Sequence, residues 1–203
     1  MMEQRTDDWF AARLGKVTAS RVADVIAKTK TGYGAGRANY MADLVVERLT
    51  GQKASSFSNA AMEWGTQTEP QAKAAYAAKT GILVEDVGFI DHPTVAMSGA
   101  SPDGFAEDGL IEVKCANTAT HLEYVLAELP PLKYFTQMQW QMACTNRPWC
   151  DFVSFDPRLP ERLQLLVVRV LRDDDYIKML EQEVNTFLQE LDDKLNKLEK
   201  VTL

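Results

Sequence analysis

The chain has 203 residues, 46% of them hydrophobic and 25% charged, which suits one domain with a buried core and excludes a disordered or fibrous chain. No run approaches the ~20 apolar residues of a membrane span, and residues 1–10 carry acids where a secretion signal would be basic and then apolar. The three dispersed cysteines (Cys115, Cys144 and Cys150) favour a cytoplasmic protein with reduced thiols, and the net charge of −7, taken alone, argues against a nucleic-acid partner.

The N-terminal residues predict two short helices and a basic loop. Thr6 is a suitable N-cap for a first helix that Gly15 ends, and Ser20 is a suitable N-cap for a second. Residues 28–37, KTKTGYGAGR, combine three basic residues with three glycines but lack the phosphate-loop pattern. We expect a flexible basic loop there, which would also suit contact with a DNA backbone.

Two longer helices and a group of strands are predicted next. The first helix ends before Gly51, and its apolar stripe consists of Met41, Leu44, Val45 and Leu49. The second spans 59–81, where Pro70 indicates either a kink or a fresh start near Thr68. Short β-branched runs between turn residues then predict consecutive strands over 82–90, 95–100, 104–108 and 110–116.

The remaining residues complete an α/β pattern. Two helices flank the Pro130-Pro131 break, two strands follow over 149–156 and 162–171, and a long amphipathic helix covers 173–200. Its inward positions are Ile177, Leu180, Val184, Phe187, Leu188, Leu191, Leu195 and Leu198. This order predicts a central mixed sheet with helices on both faces. We interpret 1–203 as a single domain, with 173–203 as a C-terminal helical extension.

The charges are unevenly distributed along the chain. Residues 1–60 hold nine Lys/Arg against six Asp/Glu, a balance of +3, and residues 172–200 hold five against nine, a balance of −4. An acidic total can therefore hide a basic surface. We expect basic residues of the first third, including Arg13 and the 28–37 loop, to face DNA, and the acidic C-terminal helix to lie away from it.

The predicted strand LIEVKCA carries two charges on one face. Side chains alternate along a strand, so Glu112 and Lys114 share a face while Ile111, Val113 and Cys115 share the other. Burying an unpaired charge costs several kcal/mol, so a salt bridge between Glu112 and Lys114 is one explanation.

Asp103 supports a second explanation, a metal site. The sequence Ser-Pro-Asp-Gly is typical of a turn, and a hairpin would bring Asp103 opposite Glu112 at one end of the sheet. Two converging carboxylates suit Mg²⁺ or Mn²⁺, and the backbone carbonyl of Val113 is a further candidate ligand. Lys114 would then activate and orient an attacking water. This set of residues is typical of phosphodiester hydrolysis.

The chain resembles a known group of nucleases in four ordered blocks. These are RLGKVTASRV (13–22), EWGTQTEPQAKAAY (63–76), SGASPDG with LIEVKC (98–115), and YFTQMQW with FDPR (134–158). A Pro-Asp followed by Glu-x-Lys is the core of the PD-(D/E)XK superfamily. The four blocks in this order resemble, more narrowly, the phage lambda-type exonucleases of the YqaJ-like viral recombinase family.

This resemblance implies a restriction-endonuclease-like fold and a DNA-degrading enzyme. The implied activity is Mg²⁺-dependent 5′→3′ digestion of one strand of linear duplex DNA, with Mn²⁺ as a substitute ion. The implied assembly is a ring-shaped homotrimer threaded by DNA. The implied partner is a single-strand-annealing protein that loads on the exposed 3′ strand during recombination.

The resemblance also implies roles for individual residues. Glu69 would be a further acid of the metal site, although Pro70 directly after it departs from the family pattern. Gln137 would serve in the active site, orienting water or substrate together with Tyr134. Met62 would be an apolar wedge that parts the two strands. Arg13, Ser20 and Ser101 match the positions that bind the DNA 5′-phosphate.

Four of these residues also have an ordinary structural explanation. Glu69 can be a solvated helix residue, Ser20 an N-cap, Arg13 a partner of a helix C-terminus, and Gln137 a buried amide. Three functions remain open at this stage. They are the exonuclease, another PD-(D/E)XK nuclease of the RecB or restriction-endonuclease type, and an inactive DNA-end-binding protein. Three dispersed cysteines argue against the four-cysteine iron–sulfur cluster of some RecB-linked enzymes.

Overall fold

The computed structural model describes residues 3–54 and 60–201. In these ranges the chain forms eight helices: α1 (Asp7–Arg13), α2 (Ala19–Ile26), α3 (Ala35–Thr50), α4 (Ala60–Thr80), α5 (Thr118–Ala127), α6 (Leu132–Thr145), α7 (Glu161–Gln164) and α8 (Asp174–Glu199). None of the helices in the described ranges has the length and apolar character that a membrane crossing requires.

The same ranges contain ten strands: β1 (Val17–Thr18), β2 (Lys28–Thr29), β3 (Gly32–Tyr33), β4 (Val84–Glu85), β5 (Ile90–Asp91), β6 (Ser98–Ala100), β7 (Gly104–Ala106), β8 (Gly109–Lys114), β9 (Trp149–Phe155) and β10 (Leu165–Leu171). The central sheet has the order β10-β9-β8-β7-β4, and its only parallel pair among the described strands is β8 with β9. A three-stranded sheet, β1-β6-β5, and the β2-β3 hairpin complete the strands.

Helices cover both faces of the central sheet, as the sequence predicts. On one face, α4 buries Ala72 and Tyr76 against Ile111 and Val113 of β8. On the other face, α5 and α6 bury side chains such as Met138 against the opposite side of β8 and β9. A third cluster joins α2, α3, α6 and α8 beside the small sheet. The mixed sheet, the flanking helices and the long C-terminal helix are therefore confirmed.

The β7-β8 hairpin brings the predicted carboxylates together. Gly104 pairs with Ile111 in the antiparallel register, so Asp103, one residue before β7, lies beside Glu112 and Val113. The hairpin connection passes through Glu107, whose backbone φ is 51°. The close pairing of these two strands explains how residues nine positions apart in the sequence meet at one end of the sheet.

Several local predictions differ from the structure. The strand expected over 82–90 is divided between β4 and β5, which belong to different sheets, and Leu198, expected inward on α8, is 42% exposed. The helix α2 begins at Ala19 with Thr18 at the N-cap, so Ser20 lies inside the helix and is not its cap. Pro70 neither breaks α4 nor starts a new helix, since α4 continues from Ala60 to Thr80. Leu49 is 54% exposed although it was expected in the apolar stripe of α3. Asn59, the first residue of the helix expected over 59–81, lies outside the described residues.

The basic segment 28–37 is not the flexible loop that the sequence predicts. It forms the β2-β3 hairpin and the first turn of α3, and it contacts α8. The Lys28 ammonium lies 2.7 Å from Glu183, and the Arg37 guanidinium lies 2.7 Å from Glu190. Opposite charges on neighbouring elements attract, so in this chain the acids of α8 neutralise these bases. The expected flexible loop is therefore wrong, and the basic segment expected to face DNA lies beside the acidic helix.

Two glycine substitutions test this packing. In Gly109→Ala the new Cβ would lie inside the indole ring of Trp149, whereas in Gly65→Ala, on α4, it would meet nothing within 4 Å. We expect Gly109→Ala to lower the free energy of unfolding by about 1–3 kcal/mol through overpacking. Gly65→Ala should raise it by about 0.5–1 kcal/mol, as alanine favours helix. Urea denaturation of both variants measures this, and equal effects would contradict the hairpin packing.

Candidate active site

Asp103 is fixed at the end of the central sheet by the strand beside it. Its Oδ2 accepts a hydrogen bond of 2.7 Å from the backbone N–H of Val113. The N–H and C=O of one strand residue point to the same edge, so the Val113 carbonyl also faces Asp103, beyond the end of β7. One carboxylate and one backbone carbonyl thus meet at this edge, as the sequence predicts.

Glu112 is a buried carboxylate in the middle of a strand. Its side chain is 1% exposed and accepts hydrogen bonds from three donors. Gln137 donates to Oε1 at 2.6 Å, Gln141 donates to Oε2 at 2.6 Å, and the Lys114 ammonium also contacts Oε1. A buried carboxylate is tolerated only when its lone pairs are satisfied, and here both oxygens are.

Gln141 has no counterpart in the predicted site. It lies one helical turn after Gln137 on α6, so both amides face β8. The i, i+4 spacing of two glutamines on a helix that follows a Glu-x-Lys strand is the signal that could have identified it. Gln137 lies in the site, as the resemblance implies, and in this structure its amide is bonded to Glu112.

Lys114 contacts the Glu112 carboxylate and lines the same cavity as Asp103. It shares a face with Glu112, and its ammonium lies 5.0 Å from the ring centroid of Tyr134. Burial alone would lower the pKa of Lys114, but the carboxylates of Glu112 and Asp103 raise it above its usual value. Lys114 is thus a protonated cation. This agrees with both explanations, a salt bridge to Glu112 and a role in an active site.

The pKa of Asp103 is shifted in the opposite sense from a salt-bridged acid. Burial raises the pKa well above the usual range for aspartate, and the nearby negative charge of Glu112 raises it further. Lys114 lowers the pKa but does not offset these effects. Two carboxylates that share one site repel each other unless a cation lies between them.

Glu69 approaches the site from α4. It lines the same cavity as Asp103, and its charge contributes to the raised pKa of Asp103. Its carboxylate is paired with Arg5 at 2.8 Å and with Lys73 at 3.1 Å. The side chain is therefore at the cavity wall but turned towards two cations.

The oxygen donors at this end of the sheet are suited to a hard divalent cation. Within residues 3–54 and 60–201, no three His, Cys, Asp or Glu side chains already converge as a complete ligand set. The donors that do meet are the Asp103 and Glu112 carboxylates and the Val113 carbonyl, all oxygen ligands of the type that Mg²⁺ and Mn²⁺ prefer. A cation there would also offset the burial and the repulsion that raise the pKa of Asp103.

The site opens into a cavity of about 910 Å³. Its wall is formed by α4, the end of β8 and the start of α6. The lining residues include Met62, Trp64, Glu69, Asp103, Val113, Lys114, Tyr134 and Arg158. Met62 is 55% exposed at this wall, which places the predicted wedge residue beside the predicted metal site. Tyr134 stacks on Phe152, so it also belongs to the core.

Arg13 and Ser101 are in contact although 88 positions apart. Nη1 of Arg13 donates to the Ser101 hydroxyl at 3.1 Å, and the indole N–H of Trp9 donates to the same hydroxyl at 2.9 Å. The guanidinium lies 4.1 Å from the Trp9 ring centroid, and burial lowers the pKa of Arg13. Ser101 precedes Asp103 by two residues, so this contact links the cluster to the active site.

Ser20 lies near this cluster, on α2. It is exposed, lines the same cavity of about 470 Å³ as Arg13, and its hydroxyl is 3.5 Å from that of Thr18. The structure thus brings Arg13 and Ser101 into direct contact and places Ser20 on the wall of the same cavity. Both histidines lie apart from these sites: His121 bonds to Ser154, and His92 stacks on Trp140.

The sequence matches the YqaJ-like viral recombinase domain over residues 8–148. It is similar to an alkaline exonuclease, LHK-Exo, from Laribacter hongkongensis, with 54% identity and a TM-score of 0.90 over 96% of this chain and 97% of that one. The structure of LHK-Exo in complex with dAMP gives the same identity and coverage with a TM-score of 0.91.

A phage-related exonuclease from Haemophilus somnus 129PT shares the fold, with a TM-score of 0.75 and 16% identity over 90% of this chain and 96% of that one. The chain matches no curated protein. The described elements thus have the same arrangement as solved exonucleases.

The burial of Asp103 and its repulsion by Glu112 predict that the stability of the folded chain depends on pH, and that Asp103→Asn changes this dependence. The pKa of Asp103 is raised to about 7 in the folded chain, whereas in the unfolded chain this carboxyl loses its proton near pH 4. Between these two values the folded chain binds the proton and the unfolded chain does not, so the free energy of unfolding falls as pH rises. Asp103→Asn removes this loss and keeps an acceptor for the Val113 N–H. Without metal, it should be more stable than wild type by about 1–2 kcal/mol at alkaline pH and equal to it in acid.

Thermal denaturation with and without a divalent cation completes this test. Binding to the folded state raises the melting temperature, so wild type should gain stability from the ion and Asp103→Asn should not. An Asp103→Asn variant that is less stable than wild type in chelator at alkaline pH would contradict the electrostatic interpretation.

Proposed function

The chain belongs to the YqaJ-like viral recombinase family, and we propose that it is a Mg²⁺-dependent exonuclease that digests one strand of linear duplex DNA in the 5′→3′ direction. Its class, a DNA exonuclease that uses a divalent metal ion, is that of the family. The single observation that carries the proposal is the meeting of Asp103, Glu112 and Lys114 at a sheet end that opens into a large cavity. The 3′ strand left by this digestion would be the substrate for recombination by annealing.

The carboxylates and the lysine divide the work between them. Asp103, Glu112 and the Val113 carbonyl would hold Mg²⁺ or Mn²⁺, with Glu69 as a further acid on the cavity wall. When bound, the ion supplies charge stabilisation and a more acidic water. Gln137 and Gln141 keep Glu112 oriented towards the site through its two oxygens. Lys114, a permanent cation beside the carboxylates, stabilises negative charge that develops on the phosphate under attack.

The cluster around Arg13 provides a reason for 5′ polarity. A guanidinium fork beside a serine hydroxyl is suited to a phosphate monoester, and Trp9 holds the fork in one orientation. We assign Arg13, Ser101 and Ser20 to the 5′-phosphate and Met62 to the separation of the strands. A homotrimeric ring, and an annealing protein that receives the 3′ strand, complete the proposal and rest on the family resemblance.

Linear and circular substrates test the enzyme class. With Mg²⁺, wild type should digest end-labelled linear duplex DNA and leave covalently closed circular DNA intact. Asp103→Ala and Glu112→Ala should each lower the rate by at least about 10²-fold, because each removes a metal ligand. Glu85→Ala, an exposed acid on β4, is the matched control and should remain active. Cleavage of circles would indicate an endonuclease, and binding without digestion would indicate an end-binding protein.

Arg13→Ala tests recognition of the DNA end. We expect it to lower the preference for 5′-phosphorylated over 5′-hydroxyl ends, by about tenfold or more, since one charge-assisted fork to the terminal phosphate is lost. Arg13→Lys keeps the charge without the fork and should fall between the two. The measurement compares initial rates on the two kinds of end. An equal fall on both ends would assign Arg13 to general binding or folding.

A further inference from the structure

Two arginines in this protein are held by the same arrangement of neighbours. Arg158 donates from Nε and Nη2 to the Asp156 carboxylate at 2.7 and 2.9 Å, and its guanidinium lies 4.5 Å from the ring centroid of Trp64. Arg169 donates from the same two nitrogens to Asp151 at 2.9 and 3.0 Å and lies 3.6 Å from the Trp149 ring. The side chains are 48% and 47% exposed.

The aspartates of the two pairs are also alike. The side chain of Asp156 is 0% exposed and that of Asp151 is 3% exposed, so in each pair the anion is buried and the cation faces outward. Each anion also accepts a hydrogen bond from a hydroxyl, Asp156 from Thr118 and Asp151 from Tyr76, and Asp156 accepts a further one from the backbone N–H of Arg158. Both pairs therefore hold a tryptophan and a guanidinium against the sheet, and folding accounts for each of them equally well.

The position of the two pairs differs. Arg158 and Trp64 line the active-site cavity together with Asp103 and Lys114, whereas Arg169 lies on β10, at the edge of the central sheet, away from the cavity wall. The wall around Arg158 also carries Asn117, Thr120 and Lys133, two neutral hydrogen-bonding groups and one cation. An extended phosphodiester chain entering this cavity would meet donors on the Arg158 side as well as at Lys114.

The guanidinium of Arg158 has one nitrogen, Nη1, that is suited to donate to a ligand. Two of its three guanidinium nitrogens are used by Asp156, and within the described residues Nη1 makes no hydrogen bond. The stack on Trp64 and the two bonds to Asp156 fix the guanidinium plane, so little conformational entropy would be lost on binding an anion. A fixed, outward-facing guanidinium is a suitable ligand for one phosphate oxygen.

We propose that Arg158 is a DNA-binding residue whose Nη1 donates to a backbone phosphate of the strand that occupies the active-site cavity. The inference rests on the proposed function and specifies which residue, outside the metal site and the 5′-phosphate cluster, holds the strand. Trp64 and Asp156 are its positioning residues. Arg158 therefore contributes to DNA binding. It contacts one phosphate and holds the strand while Lys114 and the carboxylates face the bond to be cut.

The matched pair of arginines gives the experiment. The affinity of wild type, Arg158→Ala and Arg169→Ala for a fluorescent duplex with a 3′ single-stranded overhang is measured in EDTA over a series of NaCl concentrations. Arg158→Ala should bind about tenfold more weakly, and the slope of log K against log [NaCl] should become shallower by about 0.7–0.9, one phosphate contact. Arg169→Ala should keep the wild-type affinity and slope.

Stability measurements separate binding from folding. Both alanine variants leave a buried aspartate without its cation, so both melting temperatures should fall by similar amounts. If either alanine variant fails to fold, Arg158→Gln and Arg169→Gln replace them, because glutamine can still donate to the aspartate but carries no charge. Equal affinities and equal slopes in the two matched variants would overturn the proposal and leave Arg158 with a purely structural role.

A parallel digestion assay distinguishes this failure from failure of the proposed function. Wild type that binds DNA in EDTA but digests nothing with Mg²⁺ contradicts the exonuclease, while the comparison of Arg158 with Arg169 still reports on binding. Wild type that digests DNA, combined with identical slopes for the two variants, overturns only the role of Arg158. Wild type that does not bind DNA at all overturns both.

Discussion

The burial of one carboxylate, that of Glu112, is the constraint on which the rest of the site depends. A carboxylate that is 1% exposed in a central strand costs several kcal/mol unless hydrogen bonds and a cation compensate. Lys114 provides the cation from the same strand face, and two glutamines provide amide donors from α6. Because these amides must reach β8, the requirement fixes the rotation of α6 and its distance from the sheet.

Helix α6 carries this constraint into the rest of the fold. One of its faces contacts β8 and β9, and its Trp140 is buried in the cluster that α2, α3 and α8 form around the small sheet. The small sheet in turn contains β6, which leads directly through Ser101 to Asp103. The two carboxylates are therefore held by two hydrophobic clusters that share one helix, which explains how like charges can be kept close together by the fold.

Much of this arrangement could be predicted, because it follows from local patterns. The strand positions and the shared face of Glu112 and Lys114 come from alternation, and the meeting of Asp103 with Glu112 comes from the hairpin. The pairing of α8 with the basic hairpin and the Arg158–Trp64 stack could not be predicted, since each joins segments far apart in sequence. Ser20 is not the N-cap of α2, because the helix begins at Ala19 and Thr18, two residues before Ser20 and of a residue type equally common at N-caps, occupies that position.

The pairing of α8 with the N-terminal bases changes how an acidic chain can bind DNA. Lys28 and Arg37 form ion pairs with Glu183 and Glu190, so they add little attraction for a phosphate backbone. Other cations line the two cavities, and they include Arg13 beside Ser101, and Lys114 and Arg158 on the wall of the candidate active site. Affinity would then come from a small number of positioned contacts instead of a broad positive surface. Such contacts place the strand relative to the carboxylates, which a diffuse positive field cannot do.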